Sequence, residues 1–90
     1  MNYTEYDSIE HLCECLARQY GLDLADVEVR EDLTVPKVKY SHAETDRQSG
    51  HVMVSTDGHT IVQFIIEELP CHCPKKFRGW VYDNRCHVPI

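Results

Sequence analysis

Cys71, His72, Cys73, Cys86 and His87 gather soft-metal ligands in the final stretch, 71–90, of a 90-residue chain. Thiolate and imidazole together suit tetrahedral zinc, and Cys71, Cys73, Cys86 and His87 would complete such a set. Zinc would help a short chain, because the free energy of binding a metal adds to that of folding. The spacing argues the other way. The first pair is Cys-x-Cys and the second is adjacent, with twelve residues between them, whereas most structural sites use a Cys-x-x-Cys knuckle. His72 could replace one ligand. Reduced, unliganded thiols are the plainer reading, and a disulfide from Cys71 or Cys73 to Cys86 is the remaining one. Five cysteines is an odd number, which speaks against a disulfide framework.

A second candidate overlaps the first. Lys75, Lys76, Phe77, Arg78, Gly79, Trp80, Val81 and Tyr82 interleave bases with aromatics, a pattern that can contact phosphates and stack on bases. The competing use of Phe77, Trp80 and Tyr82 is to cover a sheet while the bases point outward. With a net charge of −6 over the chain, direct contact with nucleic acid is the weaker expectation.

The charge itself is unevenly placed. Residues 1–32 hold nine acids against Arg18 and Arg30, while 71–90 hold four bases against Asp83. Asp23, Asp26, Glu28, Glu31 and Asp32 form the densest acidic zone and are the residues expected to meet a partner with a basic surface. A solvated face that merely keeps the protein soluble is the alternative.

Catalytic signals are thin. His42, Glu44, Asp46, His51 and His59 are scattered, and Gly-rich phosphate loops, Gly-x-Ser-x-Gly and His-Glu-x-x-His are all absent from the sequence. Cys86 beside His87 is no nucleophile–base pair, since neighbouring side chains of a strand point apart.

The elements that must position these groups centre on His51–Leu69. Asp57-Gly58 favours a two-residue hairpin turn, which would set Val54 opposite Ile61, Met53 opposite Val62 and His51 opposite Phe64. Met53, Val62, Phe64 and Ile66 then share one face, and Val52, Val54, Ile61 and Ile65 the other. Both faces are apolar, so both need cover. Ile61, Val62, Ile65, Ile66 and Leu69 also fit one side of a helix, but the β-branched content and the turn favour strands 51–56 and 59–67.

Before the hairpin, Ile9, Leu12, Cys13, Leu16, Ala17 and Tyr20 make one helical stripe over 8–20. Asp7 with Glu10 suits a capping box and Gly21 a C-terminal stop. Cys13 belongs to the core and Cys15 to the surface in this arrangement. Strands are expected at 27–30 and 33–40, the second interrupted by Pro36, with a loop over 41–50. After Pro70, 79–82 and 85–88 suit a small hairpin joined by Asp83-Asn84.

These elements predict a single α+β domain, 1–90: one N-terminal helix on a roughly four-stranded antiparallel sheet, closed by a Cys-rich C-terminal hairpin or loop. If the tail leaves the second face bare, a symmetric homodimer would hide it. The N-terminal residues lack the basic and apolar regions of a signal peptide, and the run Ile61–Ile66 is too short to cross a bilayer. A cytoplasmic protein without a membrane role is expected. By function class, the profile is that of a small, acidic, non-enzymatic inhibitor acting on a larger nucleic-acid-handling machine, as phage-type anti-CRISPR or anti-restriction proteins do. No family motif carries that expectation. The alternative is a zinc-stabilised module whose basic aromatic tail contacts nucleic acid or a regulatory partner.

Overall fold

A computed structural model describes residues 4–39 and 47–90. Helix α1 (Ile9–Gln19) leads through a 3-10 turn (Leu24–Asp26) into β1 (Val27–Glu31), β2 (Gln48–Ser55), β3 (Thr60–Glu68), β4 (Phe77–Asp83) and β5 (Cys86–Pro89). The strands form one antiparallel meander in chain order. The architecture is α+β, with one strand beyond the four expected.

The helix stripe buries Leu12, Cys13, Leu16 and Ala17 against one sheet face. Its N-cap is Ser8, not Asp7: the Ser8 hydroxyl accepts from the His11 amide at 3.0 Å. Asp7 instead meets Lys75 at 2.9 Å. At the other end Gly21, with φ 71°, sends its amide to Arg18, and Leu22 reaches back to Ala17. That is a Schellman closure, in which a left-handed residue satisfies the last carbonyls.

The central hairpin departs from the expected turn by one residue. Gly58, at φ 88°, donates to the Ser55 carbonyl, and Ser55 pairs with His59, so the loop is Thr56-Asp57-Gly58. Val54 therefore pairs with Thr60 rather than Ile61. Ile61 becomes a bulge, and from Met53↔Val62 onward the expected register returns. The bulge also turns Ile61 toward the helix-side core, where Met53, Val62, Phe64 and Ile66 are buried. Residues 61–68 are strand, which resolves their helix-like periodicity.

The second face is covered by a segment expected to be a strand. Residues 32–39 form no strand; they cross the sheet as a strap. Val35 and Val38 bury Ile65 and Trp80 beneath them, with Tyr82 at the margin. The strap is pinned along its length. Asp32 donates its amide to the Gly50 carbonyl and accepts from the Gln63 amide group at 2.9 Å. The Gln48 side chain pairs with both the amide and the carbonyl of Val38, at 2.8 and 3.2 Å. At the far edge the Pro36 carbonyl accepts from His87 Nε2 at 2.8 Å. Ile65 and Trp80 are 1% and 2% exposed within one chain, so this face does not need a twin to hide it. Residues 40–46, including the end of the strand expected at 33–40 and most of the loop expected at 41–50, lie outside the described residues, while Gln48–Gly50 belong to β2.

The tail closes the sheet as β4 and β5. Asn84 and Arg85, both at positive φ (47° and 67°), make the two-residue turn, one position later than Asp83-Asn84. Tyr6 adds a bridge to Phe77 and donates its hydroxyl to the Ile90 carbonyl at 3.2 Å.

Two glycines mark the closest approaches. A Cβ at Gly50 would strike the Asp32 carbonyl oxygen and lie 3.0 Å from Val35 Cβ. One at Gly79 would meet only side-chain methyls, Ile90 Cδ1 at 2.6 Å and Leu12 Cδ1 at 2.9 Å. Backbone cannot yield as a methyl can. Gly50→Ala should therefore destabilise the protein by about 2–3 kcal/mol in urea unfolding and Gly79→Ala by about 1 kcal/mol. Equal losses would mean that the strap is not held against β2.

Candidate interaction surface

Asp23, Asp26, Glu28, Glu31 and Asp32 do not share one face. Alternation along β1 sends Glu28 and Arg30 to the strap side, and Val27, Val29 and Glu31 to the helix side. Glu28 meets Arg30 at 2.9 Å, and that hydrogen bond holds its carboxyl below the usual range. Asp32 accepts from the Thr34 hydroxyl and amide and from Gln63, which likewise lower its pKa. Its carboxylate is spent anchoring the strap. Asp23 accepts from the Ala25 amide at 3.0 Å and so caps the 3-10 turn. Asp26 is exposed.

The structure also assembles acids that the sequence reading left apart. Asp23 borders a groove of about 410 Å³ with Glu10, Glu14, Arg18, Leu24 and Ala25. Glu14 pairs with Arg18 at 2.5 Å, leaving Glu10 and Asp23 to set the sign. A signal for this existed: Glu10, Glu14 and Arg18 recur every four residues along the outer side of α1. The acidic surface is thus the rim formed by α1, the 3-10 turn and β1, with Asp32 withdrawn from it.

The four expected metal ligands are not brought together. Cys71 and Cys73 lie in the turn before β4, which the Leu69 amide and Lys76 carbonyl close. Cys86 pairs with Asp83 at the opposite end of β4, about 20 Å along the strand. His87 points to the other sheet face from Cys86, and its Nε2 is engaged by Pro36, whose carbonyl can only accept. Among the described residues no group of three or more His, Cys, Asp or Glu side chains is placed to hold an ion. A disulfide from Cys71 or Cys73 to Cys86 fails on the same distance, and the cysteines are free thiols.

The basic aromatic tail is similarly divided. Phe77 packs on the helix-side core, while Trp80 and Tyr82 belong to the strap-side cluster. Lys75 is paired with Asp7, and Arg78 lies 3.5 Å from Glu5. No stacking platform remains at Trp80.

Of the residues considered for catalysis, His42, Glu44 and Asp46 lie outside the described residues. His59 sits at the hairpin tip beside Asp57, and His51 stacks on Phe64 with ring centroids 5.5 Å apart. Ser49 Oγ is 2.7 Å from His51 Nε2, a contact that sequence reasoning did not single out. It resembles a nucleophile–base pair, but among the described residues His51 has no carboxylate hydrogen bond to orient it. Cys13 is a core thiol, its pKa pushed up to about 11 by burial. Cys15 is half-buried at the core margin rather than on the open surface, and next to burial it is the main influence raising the Tyr6 pKa. Among the described residues no helix is long and apolar enough to cross a membrane.

Compared with protein-family models, with curated proteins and with solved structures, the chain matches none.

Two outcomes follow from these environments. Burial lowers the His51 pKa from 6.5, and neighbouring Glu31 only partly offsets this. The unfolded chain then takes a proton before the folded chain does, so this contribution is complete above pH 6.5 and is lost as pH falls below it. His51→Gln should flatten that acid-side decline in thermal unfolding; an unchanged slope would place its origin elsewhere. Iodoacetamide under native conditions should label exposed Cys71 and Cys86 first, and Cys13 only on unfolding. Early labelling of Cys13 would contradict its burial.

Proposed function

We propose that this protein works by binding rather than by catalysis, and that it offers its acidic rim to a partner with a basic surface. The observation that supports this is the way the fold distributes charge. The bases Lys75 and Arg78 face acids of the N-terminal segment, whereas Glu10, Asp23, Asp26 and Glu31 have no basic partner among the described residues. What remains is a one-signed rim, which steers association with the opposite sign.

Basic surfaces of that kind belong above all to proteins that hold nucleic acid. The fitting role is an inhibitor of such a machine in the cytoplasm, in the manner of phage-type anti-CRISPR or anti-restriction proteins. The zinc-module alternative is weaker. Its ligands are divided between the two ends of β4, and its main aromatic is buried.

The test is capture of cytosolic proteins on the immobilised chain, repeated with Glu10, Asp23, Asp26 and Glu31 changed to Lys together. These are exposed positions outside the strap, so folding should persist, as circular dichroism would check. The expected outcome is retention of nucleic-acid-binding proteins by the wild type. That retention should be lost in the variant and on raising salt to about 0.5 M, where screening acts over only a few ångströms. Retention unaffected by charge reversal would exclude the acidic rim.

A further inference from the structure

The two outer strands of the sheet are protected very differently. Along β5 the Ile90 amide bonds to Gly79, so alternate residues 86, 88 and 90 face β4 while 87 and 89 face outward. Position 89 is Pro, so β5 offers an incoming strand only the His87 amide, and it is four residues long. Along β1 the Asp32 amide bonds to Gly50, which sets 28, 30 and 32 toward β2 and 27, 29 and 31 outward. The Val27 amide is taken by the Leu24 carbonyl. The Val29 and Glu31 amides, with the carbonyls of Val27, Val29 and Glu31, have no partner among the described residues. β1 carries neither Pro nor a bulge.

From this asymmetry we infer that β1 is a docking edge that accepts an extended basic segment of a partner protein as a sixth strand. The main-chain groups at 27, 29 and 31 provide the ladder, and the charges select what enters it. Asp26, Glu28, Glu31 and Asp32 stand against Arg30 alone along this edge. A second copy would bring the same excess of carboxylate and be repelled. A strand with cations opposite Glu28 and Glu31, and a β-branched residue opposite Val29, meets complementary charge on both faces. The inference rests on the acidic-rim reading for the partner's charge; the main-chain pairing is its own addition.

The experiment uses the unmodified protein and two probes of equal charge. One is a seven-residue peptide of alternating Lys and Val. The other is the same peptide N-methylated at alternate residues, so that one edge cannot form a ladder. Amide hydrogen exchange is followed by NMR. The expected result is that the first peptide slows exchange at Val29 and Glu31 by about tenfold or more and leaves His87 unchanged, while the N-methylated peptide gives no such protection. Equal effects of both peptides would overturn strand addition and leave the acidic rim standing. Binding of neither would overturn both. Protection of Val29 and Glu31 without peptide, rising with protein concentration, would make a second copy the occupant and overturn the basic partner.

Discussion

β3 must be dry on both sides, and most of the structure answers to that requirement. Phe64 and Ile66 face the helix, and Ile65 faces away; these are 0%, 2% and 1% exposed. A strand with such a pattern is stable only when each of its faces lies against something apolar. With one helix available, the other cover has to come from the connection between β1 and β2. The strap supplies it with only Val35 and Val38, and Trp80 from the neighbouring strand fills the remaining width. So small a cover is held by hydrogen bonds at every step, and side chains that would otherwise be surface groups are committed to it: Asp32, Gln48, Gln63 and His87.

That commitment changes the meaning of residues that look functional in isolation. His87 reads as a ligand from its place beside Cys86, yet it fastens the strap to the last strand. Asp32 reads as one more carboxylate in an acidic run, yet it is a hydrogen-bond acceptor for Thr34 and Gln63. In a chain of 90 residues the interior is thin, and polar side chains do work that apolar contacts do in larger domains.

Local chemistry made much of the fold legible. The helical stripe, the Gly21 stop, the two hairpins and the alternation of Met53, Val62, Phe64 and Ile66 all rest on neighbours in sequence. The strap was not legible. Val35 and Val38 stand three apart around Pro36, a spacing that belongs to neither helix nor strand, and what they cover is some 30 residues away in sequence. The hairpin bulge escaped for a related reason: Asp57-Gly58 can sit at either of two places in a tight turn, and the packing of Ile61 decides between them. The candidate site fared less well. A run of acids along a strand looks like a patch in sequence, but the pleat divides it between two faces. The cysteines were grouped by proximity along the chain, and β4 holds the two groups apart.

Because the apolar residues are consumed by the two cores, little apolar surface remains for recognition. The exposed large apolar side chains, Ile9, Tyr20, Leu33 and Val88, come from four different elements or turns, and singly exposed residues of this kind are ordinary. Any specific contact made by the described surface must then draw on charge or on main-chain hydrogen bonds. The two coincide at β1. Its outward amides would make it liable to pair with any exposed strand, its own copy included, and its excess of carboxylate restricts that liability to basic partners. Edge strands are commonly guarded by charge for solubility alone, and a balanced mixture would serve that end. An edge guarded by one sign is open to the other.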